Sequence, residues 1–235
     1  LQDSTVVYAG FDLTGAAPGV YGLRLVRSGA TLGTLAGAVT VETAAAPDLV
    51  ARVVTPERSR VGRPFTGYVT YRNAGNVDMT APLLILSSGG AAGMRLSDSA
   101  PFTKQDLTLL GISQEGPAGV LRPGQEWQIP FSAVASSTAP LAFTVASTLG
   151  DSAAPMDWAS IGPSIRPGSL TDEQWAPIFA TLTGNIGDTW GDYITTLARD
   201  ATRLAQRSSR DPSVRGPLNL ELAKAQGLGV SEISG

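Results

Sequence analysis

A chain of 235 residues with 17 Lys and Arg against 20 Asp and Glu carries a formal net charge of −3 at pH 7, and it contains neither His nor Cys. Those two absences remove His/Cys zinc sites, thiol chemistry, disulfide staples and every nucleophilic triad built on an imidazole base. No run of five like charges gives the basic footprint of a nucleic-acid binder, and no apolar stretch approaches the roughly 18 residues of a membrane span.

Only 16% of residues are charged, while 27 Gly and 16 Pro punctuate the chain. Many short strands and turns follow from that composition, so a mainly β fold is expected. Three zones separate along the chain. In residues 1–44 the runs TVVYAGFDLTG, GVYGLRLVRSG and LAGAVTVET are β-prone and divided by turn residues. Three strands would leave exposed sheet edges and a single core face. This zone is therefore expected to be the C-terminal part of an incomplete Ig-like domain whose opening strands lie upstream of Leu1.

Residues 47–150 hold five further strand candidates, at 48–55, 64–73, 81–88, 126–136 and 141–149. Two of them alternate strongly: Trp127, Ile129, Phe131, Ala133 and Ala135 share one face, as do Leu141, Phe143, Val145, Ser147 and Leu149. With turn signals at Asn73-Ala74-Gly75-Asn76, Ser88-Gly89-Gly90 and Arg122-Pro123-Gly124, the spacing predicts an antiparallel β-sandwich.

Residues 156–235 change period. Thr171-Asp172-Glu173-Gln174 has the form of a capping box ahead of Trp175, Ile178, Phe179 and Leu182, with Pro177 expected to delay or bend the helix. A second helix opens near Asp188-Thr189; Trp190, Tyr193, Ile194, Leu197, Ala201 and Leu204 form its apolar stripe, and Arg199, Asp200 and Arg203 its polar side. A third spans Pro217 to Gln226 and stops at Gly227.

Catalytic constellations are weak. Lys104 and Lys224 are the only lysines, and neither lies in a Ser-x-x-Lys spacing. Glu115 with Glu126, or Asp188 with Asp192, could be paired as glycosidase carboxylates. Each reads better as a loop charge, a surface charge or a helix cap. With oxygen ligands alone remaining, the metal chemistry left open is calcium, in the loop of Asn73, Asn76 and Asp78. Asn in such a loop more often bonds its own backbone. Two tryptophans, Trp127 and Trp158, stand out as ligand or docking contacts, Trp158 by joining the helices to the sandwich.

The run Arg60-Val61-Gly62-Arg63-Pro64, then Tyr68-Val69-Thr70-Tyr71-Arg72-Asn73-Ala74-Gly75-Asn76-Val77-Asp78, then Ala81-Pro82-Leu83-Leu84, resembles the Ig-like sandwiches of bacterial surface proteins, of the CARDB or DUF11 type. The first zone, with Asp12-Leu13-Thr14-Gly15 and Pro18-Gly19-Val20-Tyr21, resembles the end of a TIG-like Ig domain. Asp172-Glu173-Gln174-Trp175 and Gly187-Asp188-Thr189-Trp190-Gly191-Asp192-Tyr193 are similar to helical segments that follow such units in large secreted repeat proteins, some with YD-repeat or teneurin-like shells. These resemblances imply a non-enzymatic, extracellular or cell-surface structural and adhesion module, a spacer or interaction domain whose partners are other domains of the same precursor or a surface assembly. They imply no catalytic residue and no cofactor. Two alternatives accompany this expectation: a polysaccharide-binding module with or without calcium, and a subunit whose first sheet is completed by a partner's strand.

Overall fold

The computed structural model describes residues 11–13, 15–205 and 212–227. They fall into two compact units that divide between Ala45 and Ala46. Strands in antiparallel sheets dominate, with four short helices after them. Among the described residues no helix is long and apolar enough to cross a membrane.

The first unit is a hairpin of β1 (Gly19–Arg27) and β2 (Ala30–Val41). Ser28 and Gly29 join the strands with φ of 50° and 82°. Two consecutive left-handed residues make the turn that matches the twist of paired strands, and glycine takes the second position without steric cost. The run expected from residue 5 lies largely outside the described residues.

In the second unit β3 (Leu49–Val54), β4 (Pro64–Asn73), β7 (Ala92–Arg95) and β10 (Glu126–Ala135) form a sheet in the order β3-β4-β10-β7. A second sheet has the order β11-β6-β8, from β6 (Leu83–Ser87), β8 (Leu107–Leu110) and β11 (Thr144–Thr148). A minor pair joins β5 (Met79–Thr80) to β9 (Val120–Leu121). Val69, Tyr71, Ile129, Phe131 and Met94 of the first sheet pack with Leu84, Leu86 and Leu109 of the second in one buried cluster. The alternation of β10 is realised: Ile129, Phe131, Ala133 and Ala135 are buried and Trp127 half-buried, while Glu126, Gln128 and Pro130 are exposed. In the last strand Phe143, Val145 and Leu149 pack on this core, but Ser147 is exposed and the pairing covers only Thr144–Thr148.

β6 explains why its sequence is apolar without alternation. Leu84 and Leu86 face the other sheet, whereas Leu83 joins a second cluster with Leu110, Ile112 and the helices. A strand covered on both faces is apolar at successive positions. The covering layer is built from α1 (Trp158–Ile165), α2 (Asp172–Ile186), α3 (Trp190–Ala205) and α4 (Arg215–Ala225). The capping box at Thr171 forms, with Gln174 N–H donating to Thr171 Oγ1 and Thr171 N–H to Gln174 Oε1. α2 starts there and continues through Pro177, so the expected delay does not occur; the proline withdraws a single amide from a helix whose buried Trp175, Leu182 and Ile186 fix it on the core. α4 starts at Arg215, two residues earlier than expected, and α1 was not foreseen.

Two attachments hold the helices to the sheets. Gly119 N–H donates to Thr202 Oγ1 at 3.1 Å, and Leu110 N–H donates to the Pro212 carbonyl at 2.8 Å. The second contact, with the Leu109 to Ser213 bridge, covers the outer edge of β8.

Candidate functional site

Asn73 ends β4, and its side chain is fully buried. Nδ2 donates to the Val77 carbonyl at 2.7 Å and to the Leu121 carbonyl at 3.0 Å, while Oδ1 accepts from Gly75 N–H at 3.0 Å. The amide thus braces its own loop and ties it to β9, so its oxygen is already committed to the backbone. Asn76 and Asp78 are exposed. Among the described residues no group of three or more Asp or Glu side chains is arranged to hold a metal ion.

Trp127 lies on β10 opposite Tyr71, half-buried against the core between the sheets. Trp158 packs on the cluster that holds Leu83 and Leu110 together with the helices, and its directed contacts are to the helices. Its Nε1 donates to the Gly187 carbonyl at 3.0 Å, and its ring meets Phe179 and Tyr193 edge-on with centroids 6.2 and 6.0 Å apart. A half-buried indole needs an acceptor for its one donor. The carbonyl at the C-cap of α2 supplies it, and Trp158 thereby joins α1 to α2 and α3. The structure does not gather the two tryptophans into one platform: they pack on different clusters.

Two features escaped sequence reasoning. The first is the hairpin surface. Register pairs Tyr21 with Val39, Leu23 with Leu35 and Leu25 with Gly33, which sets these apolar side chains on one face. Leu35 is 62% exposed, Leu25 54% and Tyr21 41%. Arg24 against Thr34 and Val20 against Thr40 occupy the other face. β2 contains no charged residue and no proline over its twelve positions, and among the described residues it pairs only with β1. Charges and prolines are usual defences of a sheet edge, and β2 carries neither.

The second is an ionic cluster between α3 and α4. Asp200, expected on the polar side of its helix, is 0% exposed, and Glu221 is 3% exposed. Lys224 Nζ donates to Asp200 Oδ2 at 2.8 Å and to Glu221 Oε1 at 2.6 Å. Arg199 Nε and Arg203 Nη1 approach Asp200 Oδ1 only to 3.9 and 3.7 Å, distances of charge attraction without a hydrogen bond. Burial, and then the hydrogen bond with Asp200, raise the Glu221 carboxyl above its ordinary value. Burial also opposes ionisation of Asp200, but the hydrogen bonds from Glu221 and Lys224 outweigh it and hold that carboxyl below its usual range. For Lys224, burial lowers the ammonium and the two carboxyl hydrogen bonds more than restore it, leaving it raised. The sequence signal was present in the Glu221-to-Lys224 spacing on α4, but nothing local paired it with Asp200.

Compared with known proteins, the chain matches no family model and no curated protein.

Proposed function

We propose that this chain is a non-enzymatic structural and adhesion module of a large extracellular bacterial protein, a spacer or interaction domain. In this proposal the two facing sheets are an Ig-like sandwich and the hairpin belongs to a neighbouring Ig-like unit. The observation that carries it is the uncovered face of Tyr21, Leu25 and Leu35. Fully burying a leucine-sized side chain stabilises by roughly 1.5–3 kcal/mol, and a two-stranded hairpin is marginal alone, so such a face calls for a covering partner. The scarcity of catalytic groups agrees with this: the buried carboxyls of Asp200 and Glu221 are engaged by the part-buried Lys224.

The edge of β2, without charge or proline, favours a second reading, in which the covering strand comes from another chain by strand addition. Both readings are tested with a dye that fluoresces on exposed apolar surface. The intact chain should bind it, and the double substitution Leu25→Ser with Leu35→Ser should abolish binding without shifting the melting temperature of the larger unit. Unchanged dye binding would overturn the proposal. To separate the two readings, the intact chain is run through light scattering beside a longer version carrying the upstream domain. Cover supplied in cis leaves the longer version monomeric and dye-silent, whereas cover in trans leaves it dye-binding until the partner is added.

A further inference from the structure

We propose that the cleft at one end of the two facing sheets is a peptide-binding site, and that its ligand is an acidic segment presenting one large apolar side chain. The cleft has a volume of about 390 Å³ and lies between the loop that joins β3 to β4 and the loop that joins β10 to β11. Its make-up is that of a ligand site, an apolar floor with a few convergent polar groups.

The floor follows from where the strands stop. Phe65 is the second residue of β4 and Phe143 immediately precedes β11, so both rings lie where the paired strands end. Phe143 stands edge-on to Phe65 with centroids 6.3 Å apart and is backed by the buried Phe131 at 5.5 Å. Phe65, Leu141 and Phe143 stay half-buried, and Val61 in the cleft wall is 46% exposed. An apolar side chain seated there removes both its own surface and theirs from water.

The walls are fixed before any ligand arrives. Gly62 N–H donates to the Ala135 carbonyl at 3.0 Å, which ties the first loop to the end of β10, and Ala139 N–H donates to Ser137 Oγ at 3.3 Å within the second. Pro56 and Pro140 restrict the backbone of each loop. Pre-formed walls lower the ordering cost of binding. The hydroxyls of Thr55, Ser59 and Thr138 line the cleft and make no hydrogen bond among the described residues, so they are open to a peptide backbone.

Charge sets the sign of the ligand. Residues 55–63 contain Arg58, Arg60 and Arg63 against the single acid Glu57, and residues 136–143 contain no charged residue. Three against one leaves the first loop at +2, on a chain whose net charge is −3. None of these three arginines has an ion pair among the described residues, whereas Arg52, Arg95 and Arg166 each face a carboxylate. Both Arg58 and Glu57 line the cleft. A peptide answers both, with carboxylates for the guanidinium groups and backbone N–H groups for Glu57.

Fluorescence anisotropy of the intact chain with short labelled peptides tests this. One peptide is rich in Asp and Glu around a central Phe, a second has Lys in place of each acid, and a third keeps the acids but has Ser in place of Phe. The first should bind at least about tenfold more tightly than either of the others, and less tightly as salt rises from about 0.05 to 0.5 M. Arg58→Glu and Val61→Asp, both at exposed positions, should each weaken it by about tenfold with the melting temperature of the larger unit unchanged. Leu25→Ser with Leu35→Ser lies in the other unit and should leave it unchanged, so failure of the cleft and failure of the hairpin reading are told apart. No binding, equal binding of the three peptides, or binding indifferent to both cleft substitutions overturns the proposal. So does N-acetyl-phenylalanine binding as tightly as the acidic peptide, which would make the cleft a small-carboxylate site. Should either cleft substitution lower the melting temperature, the unsubstituted chain still decides: the amide resonances of Ser59 and Thr138 must move on titration with the acidic peptide, and movement confined to other regions overturns the site.

Discussion

The amide of Gly119 donates to the hydroxyl of Thr202 at 3.1 Å across 83 positions of sequence, and Thr202 in turn donates to the Ala198 carbonyl at 2.9 Å. This relay fixes α3 against the loop that leads into β9. Gly119 has a φ of +78°, and a Cβ there would lie 3.0 Å from the Arg199 backbone nitrogen. The residue must be glycine for two independent reasons, its left-handed conformation and the close approach of the helix backbone.

Gly119→Ala should destabilise the larger unit by about 1–3 kcal/mol, and Thr202→Val, which leaves a buried amide without its acceptor, by a similar ~1–3 kcal/mol. Urea titration of each variant gives the midpoint shift. Because both changes act on one contact, the double variant should lose less than the sum. Full additivity would mean that the relay does not couple the helix to the sheets.

Asn73→Ala removes three hydrogen bonds at a fully buried position. The expected cost is about 2–4 kcal/mol. Asn73→Asp should cost more, since a carboxylate oxygen would then face the Val77 and Leu121 carbonyls that now receive an N–H. Because Asn73 Oδ1 already accepts from Gly75, millimolar calcium or a chelator should leave the wild-type melting temperature unchanged. A calcium-dependent rise, lost in Asn73→Ala, would restore the metal reading of this loop.

Stability should fall at both ends of the pH scale for separate reasons. Burial pushes the Tyr193 phenol up to about 12 from its ordinary value of 10.0. Its contribution is complete below pH 10 and is lost as pH rises through about 12. Tyr193→Phe should flatten that alkaline limb in a melting series. At the acid end, hydrogen bonds with the side chain and backbone of Ser160 lower Asp157, and those with the side chain and backbone of Thr189 lower Asp192. The stabilisation from these two caps is present above the ordinary carboxylate value and disappears as pH falls through the lowered ones. Asp157→Asn with Asp192→Asn should shrink the acid limb while leaving the part due to Asp200.

Much of this architecture could be read from periodicity. Periodicity puts β4 at Pro64–Asn73 and β10 within one residue of its observed end, because long alternating strands bounded by turn residues carry a strong local signal. β7 and β8 were missed: each is only four residues, and β7 starts inside the Gly-rich segment 89–93 that reads as a hairpin tip. α1 was missed for a related reason, being eight residues long with Pro163 inside, and only Asp157 accepting from Ser160 N–H marks its start. Asp200 was misjudged because helical spacing alone sets it beside Arg199 and Arg203, and what buries it is α4, which arrives from elsewhere in the chain. Exposure on the hairpin was equally illegible, since Tyr21, Leu23 and Leu25 alternate as a half-buried strand would, whether or not anything covers them.

The hairpin also offers the most direct test of the functional account. Amide exchange should be measured for β1 and β2 in the isolated monomeric chain, with β4 and β10 as internal references. The account predicts that the hairpin amides exchange many-fold faster than those references until a covering partner is supplied. Protection of β1 and β2 equal to that of β10 in the monomer alone would contradict it, because a hairpin stable without cover needs no neighbour.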